Sequence, residues 1–133
     1  TALRGQEVHT VSVMGATDDE QFLKLLGKQC EVFVATDDTA SRRSLTKLLK
    51  DTYKLAPVNA IHRAATVSEY AWLGHGNYVG AGAVLEEGAF IGAGVVVPGT
   101  VRIGKNARVG AGSVVVGDVP DKATVFGNPA KTV

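Results

Sequence analysis

The chain has 133 residues, enough for one ordinary domain or two very small ones and too few for a large multidomain enzyme. It is 45% hydrophobic and 20% charged, a globular composition, and its net charge of +1 gives no electrostatic footprint for nucleic acid. The single cysteine, Cys30, excludes an internal disulfide framework and a four-cysteine zinc site, and no apolar run approaches the ~20 residues of a membrane helix. No secretory signal opens the chain, so a soluble cytoplasmic protein without a membrane partner is expected. The first residue is Thr1 rather than Met, which leaves room for natural residues before it. Sixteen glycines stand beside only four Phe, three Tyr and one Trp, so the core must close with small aliphatics at regular positions.

Residues 1–57 carry sixteen of the charged side chains and read as alternating short strands and helices. Val8, Val11 and Val13 lie in a β-branched run that stops at Gly15. Thr17-Asp18-Asp19-Glu20 has the form of a capping box, with the Thr17 hydroxyl serving one free amide and Glu20 reaching back to another. Phe22, Leu25 and Leu26 follow at helical spacing, and Gly27 can end that helix. The run from Glu31 to Thr36 predicts a buried strand. Asp37, Asp38 and Thr39 offer caps for a second helix with the stripe Leu45, Leu48 and Leu49, and Pro57 closes this half. The β-α-β-α-β order predicts a small α/β unit over 1–57 with a parallel sheet, a partial Rossmann-like arrangement.

From residue 58 the period changes. Val67, Leu73, Val79, Leu85, Ile91, Val97, Ile103, Val109 and Val115 are nine aliphatics at an unbroken spacing of six, and Ile61 extends the series backwards. Four residues after each lies a mostly small side chain: Ala71, Asn77, Ala83, Ala89, Val95, Val101, Ala107, Ser113 and Val119. Six fits neither a helix nor a hairpin repeat; it fits a hexapeptide β-helix over residues 58–120, each short strand pointing one aliphatic inward. Residues 121–133 then form a C-terminal tail.

The hexapeptide series, with Val109-Gly-Ala-Gly-Ser-Val-Val-Val116 and Gly127-Asn-Pro-Ala-Lys131, resembles the left-handed β-helix acyltransferases. More narrowly, Val32-Phe-Val-Ala-Thr36 with Arg42-Arg43, and Asn59-Ala-Ile-His62 at the start of the repeats, resemble the sialic-acid O-acetyltransferase and bacillosamine-type sugar N-acetyltransferase group. The resemblance implies a left-handed helix with three hexapeptides per coil, acetyl-CoA as co-substrate, a sugar or nucleotide-sugar acceptor, and a homotrimer. It also implies a histidine base in a His-carboxylate context on the β-helix.

Only His9, His62 and His75 are present. His9 reads as an exposed strand residue and His62 as the start of the first coil. The resemblance makes His75 the candidate base, since the family's base occupies the same place in its hexapeptide, yet Gly74 and Gly76 flank it and no carboxylate is adjacent. Its number also puts it in one column with Ala93 and Ala111, eighteen residues apart. The Gly92-Ala93 and Gly110-Ala111 pairs are candidates for the pantetheine arm, and the resemblance sets Asn128 and Lys131 beside the nucleotide end of CoA. Arg102, Lys105 and Arg108 are alternative phosphate partners. The family's glycine-rich acceptor turn has no counterpart near residues 1–16; Asp37 and Asp38 can contact a sugar, but capping explains them more economically. Two readings stay open: a sugar acetyltransferase, shortened or not, and a non-catalytic β-helix module that lacks base and acceptor site. A γ-type carbonic anhydrase would need three converging histidines, so no metal site is expected.

Overall fold

A parallel coil forms where each turn of the chain brings the same residue type back over itself, and residues 58–127 do this. The computed structural model describes residues 3–17, 19–26, 30–36 and 38–133. The first coil contains β3 (Ala60–Ile61), β4 (Thr66–Val67) and β5 (Trp72–Leu73), after two short strands and two helices considered below. The second contains β6 (Tyr78–Val79), β7 (Val84–Leu85) and β8 (Phe90–Ile91), and the third β9 (Val96–Val97), β10 (Arg102–Ile103) and β11 (Arg108–Val109). Strands eighteen residues apart pair in parallel, as in Tyr78↔Val96, Val84↔Arg102 and Trp72↔Phe90, giving three flat faces.

The aliphatic ladder points inward. Val79, Leu85, Ile91, Val97, Ile103, Val109 and Val115 are buried, and so are Ala83, Ala89, Val95, Ala107 and Val119 from the small-residue series. Ile61 is 45% exposed, because no coil lies above the first strand to cover it. The two polar members of the small series are satisfied in place. The Asn77 amide donates to the Gly74 carbonyl at 2.9 Å, while its oxygen accepts from the Val95 amide at 2.7 Å. Ser113 donates to the Gly110 carbonyl at 2.6 Å. A buried side chain that bonds the next coil's backbone stabilises the stack instead of opposing it.

The fourth turn is shorter. Val119 bridges to Ile103, and β12 (Thr124–Gly127) pairs in parallel with β11 as Arg108↔Thr124, sixteen residues on instead of eighteen. Val119, expected as a corner residue, therefore takes an inward place next to Ile103. The stretch after Pro120, expected as a tail, supplies a further side of the coil. The Gly127 amide donates to the Ser113 hydroxyl at 3.1 Å, and the Ala130 amide to the Val114 carbonyl at 2.8 Å. A last strand, β13 (Ala130–Thr132), folds back antiparallel on β12 and covers that edge.

The N-terminal half departs further from expectation. β1 (Glu7–Val8) and β2 (Val11–Ser12) form an antiparallel hairpin, closed by His9 and Thr10 at φ 48° and 67°. A two-residue turn returns the chain at once, so the valine run pairs with itself and leaves no strand for a parallel sheet. α1 is only Glu20–Leu23, capped by Asp19, whose side chain accepts from the Gln21 amide at 3.1 Å, not by Thr17. Leu25 lies beyond this helix and is exposed. Asp18, Gly27 and Asp37, singled out above, lie outside the described residues. Residues 30–36 are extended with alternate residues turned inward, but make no ladder; a single bond joins the Val58 amide to the Val32 carbonyl at 2.8 Å. Among the described residues this half holds no parallel sheet.

α2 (Thr39–Tyr53) is the substantial N-terminal element. The Asp38 carboxylate caps it, accepting from the Ser41 amide at 2.7 Å, and Lys54 ends it in a left-handed conformation. Leu49 is buried and Leu45 and Leu48 half-buried, the expected stripe. Arg42, 6% exposed, fastens the helix to the coil: Nε donates to the Thr36 carbonyl at 3.1 Å and Nη1 to the Gly94 carbonyl at 3.0 Å.

Arg102 forms the main surface ion network, at 2.8 Å to Glu86 and 2.9 Å to Asp121. The Arg102 guanidinium first, then the Lys105 amide, hold the Asp121 carboxyl below its ordinary value, and bonds from Ser41 do the same for Asp38. A carboxyl depressed in the folded state contributes stability that is present above its unfolded pKa and lost as pH falls through the folded one. Stability is therefore expected to decline on the acid side, below the ordinary aspartate range, and Asp121→Asn to flatten that limb slightly. Urea midpoints measured from about pH 6 to about pH 2 check this, and added salt weakens the effect at these exposed groups.

Candidate functional site

One corner of the coil stacks His75, Ala93 and Ala111 in register. The Gly94 amide donates to the His75 carbonyl at 3.0 Å, and the Gly112 amide to the Ala93 carbonyl at 2.9 Å. The turn can be this tight because Gly94 and Gly112 take φ of 66° and 74°, which side-chain-bearing residues rarely adopt. α2 packs across this corner, and between them lies a cleft of about 300 Å³. Arg42, Arg43, Thr46, Lys47, Lys50 and Asp51 of α2 line one wall; His75, Ala93, Gly94, Ala111 and Gly112 line the other.

Two features distinguish the polar atoms of this corner. The backbone amides of His75, Ala93 and Ala111 donate to no acceptor among the described residues. The His75 ring nitrogen Nδ1 is buried and has no hydrogen-bond partner. Buried polar atoms are nearly always paired, so this ring nitrogen is an exception, on a residue that also lines the cleft. Asp51 is the one carboxylate in the lining, and it forms no ion pair with His75.

The remaining sequence candidates fall apart spatially. Gly92 is buried inside the stack, where a Cβ would stand 2.6 Å from the Ala111 amide nitrogen; a Cβ on Gly110 would strike the Phe126 ring. These glycines permit close packing of coils and do not line the cleft. Asn128 and Lys131 lie exposed on the C-terminal hairpin, away from the cleft lining. Arg102 is engaged by its two carboxylates, and Arg108 lies over the Phe90 ring at 5.9 Å. The His62 Nδ1 accepts from the Ala64 amide at 3.1 Å in a local turn. Among the described residues no cluster of metal-ligating side chains occurs. Nor is any described helix long and apolar enough to cross a membrane.

The family described as bacterial transferase hexapeptide (six repeats) matches residues 82–117. PerB from Caulobacter crescentus, solved in complex with CoA and GDP-perosamine, is 31% identical over 95% of this chain and 80% of that one, with a TM-score of 0.45. The chain belongs to the hexapeptide-repeat acyltransferases. The acetyltransferase domain of PglB from Neisseria gonorrhoeae, in complex with acetyl coenzyme A, is similar in structure, with a TM-score of 0.57 at 25% identity over 96% of this chain and 81% of that one. A serine acetyltransferase from Brucella abortus shares the fold, with a TM-score of 0.53 at 22% identity over 71% of this chain and 48% of its own. No curated protein sequence matches the chain.

For a left-handed β-helix acyltransferase, the residues that sequence reasoning missed are informative. Gly94 and Gly112, one place after the expected alanines, line the cleft, and the second wall comes entirely from α2. Arg43, Lys47 and Lys50 stand at i, i+4 and i+7, a spacing that by itself puts them on one helical face. Nothing in the sequence said that this face would meet the corner at His75.

Proposed function

We propose that the chain is an acetyl-CoA-dependent acetyltransferase acting on an amine or hydroxyl of a sugar or nucleotide-sugar, with the His75–Ala93–Ala111 corner as the donor groove. The observation that carries this is the stacking of His75, Ala93 and Ala111, with Gly94 and Gly112, along one wall of a single cleft. The small residues Ala93, Gly94, Ala111 and Gly112 on the coil wall leave room for a pantetheine arm. Bound there, acetyl-CoA supplies an acetyl group activated as a thioester. His75 holds the acceptor's amine or hydroxyl proton as that group becomes nucleophilic. Support for the donor comes from the acetyl-CoA-bound PglB domain, similar over nearly the whole chain. Support for a sugar acceptor comes from the sequence resemblance of Val32–Thr36 and Asn59–His62 to sugar acetyltransferases.

The homotrimer is part of the same proposal. Trp72, Tyr78 and Phe90 stand outward on the flat faces of the coil, and exposed aromatics on flat sheets favour assembly.

Ala111 is exposed at the mouth of the turn, so Ala111→Trp is expected to abolish acetyl-CoA binding without altering thermal unfolding. Calorimetric titration of both proteins, followed by a thiol-release assay over a panel of amino-sugars, tests the reading; light scattering at micromolar concentration tests the trimer. Unchanged acetyl-CoA affinity in Ala111→Trp would remove the groove. Tight binding with no turnover on any acceptor would favour the second reading, a module without a working base, which the missing carboxylate beside His75 supports.

A further inference from the structure

Among the described residues, a single side chain of residues 1–57 hydrogen-bonds the coil. It is Arg42, whose Nη1 donates to the Gly94 carbonyl at 3.0 Å. The rest of its guanidinium engages the Thr36 carbonyl, through Nε at 3.1 Å and through Nη2. Arg42 is 6% exposed and forms no ion pair among the described residues. Carbonyl dipoles, not a carboxylate, therefore offset the cost of burying its charge.

The bond singles out one coil. Gly76, Gly94 and Gly112 stand eighteen residues apart at the same corner, all at positive φ. Among the described residues only the Gly94 carbonyl receives a side-chain donor. Gly94 is also bonded on its other side, its amide donating to the His75 carbonyl at 3.0 Å. A glycine has no Cβ to pack, so the bonds on its two sides decide how it stands. Arg42 thus reaches His75 through two hydrogen bonds, with Gly94 between them. The His75 Nδ1 is buried without a partner, so no protein bond at that nitrogen holds the ring, and its place follows from the backbone.

We propose that Arg42 is a positioning residue for this corner: through Gly94 it sets the turn that carries His75, and so where the His75 ring stands on the cleft wall. The role rests on the acetyltransferase reading, with His75 as the base. Misplacing a reacting group by about 1 Å can lower a rate about 10²-fold. A lysine at this position keeps the charge but lacks the planar fork that spans two carbonyls.

The test has two arms. In the first, the histidine ring signals of the full chain are recorded by NMR. The chain has three histidines, and the signal that disappears in His75→Ala assigns the third. Arg42→Lys is expected to shift the His75 signal and leave those of His9 and His62 in place, with circular dichroism showing a folded chain. An unmoved His75 signal overturns the proposal, whatever the activity. In the second arm, kcat and KM are measured for Arg42→Lys alone and in the His75→Ala background. The expected result is a fall in kcat of about tenfold or more with KM for acetyl-CoA nearly unchanged, and little further loss once His75 is gone, because residues that act through one another are not additive. Equal fractional losses in both backgrounds make Arg42 a structural residue and overturn the proposal. If the unaltered chain turns over no acceptor, the acetyltransferase reading fails, while the ring signals still decide whether Arg42 sets the His75 turn. Arg42→Gln, which keeps an N–H donor without the charge, is the second variant. Loss of the folded state in both variants makes Arg42 a stability residue and also overturns the proposal.

Discussion

Ile91→Ala is expected to lower the stability of the chain by about 2–5 kcal/mol, the range for emptying a fully buried aliphatic position. Ile91 has no exposed surface, and its strand is paired on both sides, to Leu73 above and Val109 below. The core of a coil is one side chain wide, with neighbours held by their own ladders at fixed spacing. They cannot move in to fill the space left by three missing carbons, so the loss should fall toward the upper part of that range. Arg102→Ala is the control. Its ion pairs to Glu86 and Asp121 are open to solvent, and pairs of this kind contribute little to stability. Urea unfolding of the two variants measures the difference, and comparable losses would mean that the inward register is wrong.

That register was readable because it repeats. Each of the aliphatics from Val79 to Val115 tests the same hypothesis of one inward residue per six, and a wrong period fails within two coils. The short fourth turn was not readable, because there the repeat loses two residues and Asp121 falls where an aliphatic was due. Val125 is the inward residue that restores the column, and its pairing with Val109 is visible only once the turn before it is seen to be tight. The N-terminal half lacked such redundancy. A valine run of this length serves equally as one strand or as two arms of a hairpin, and the left-handed conformation of Thr10 that helps decide the matter is unusual for a β-branched residue. The site was half legible for a related reason. The column of His75, Ala93 and Ala111 follows from arithmetic within the repeat, while the wall opposite depends on how α2 packs against the coil. Arg42 fixes that packing through a bond to Gly94, fifty-two residues away in sequence.

His75→Ala is expected to reduce turnover by about 10²–10⁴ while leaving acetyl-CoA affinity close to that of the unaltered chain, since a general base acts on the transition state and not on ground-state binding. The geometry favours a base over a mere wall residue in one respect. Its Nδ1 is buried and has no protein partner, so the ring is not committed to a structural bond as His62 is to the Ala64 amide. It argues for a modest base in another. Asp51 shares the cleft without forming an ion pair to the ring, so no carboxylate fixes the tautomer or stabilises the imidazolium that forms on proton transfer. The unaltered enzyme should therefore be slow. A wall residue behaves differently: its loss changes acetyl-CoA affinity, since the alanine opens the groove beside Ala93, and spares the rate at saturation. Steady-state kinetics with both substrates varied, paired with calorimetric binding, separates the two outcomes. Turnover that survives both His62→Ala and His75→Ala would exclude histidine as the base and shift attention to Asp51, the remaining titratable acid on the cleft wall.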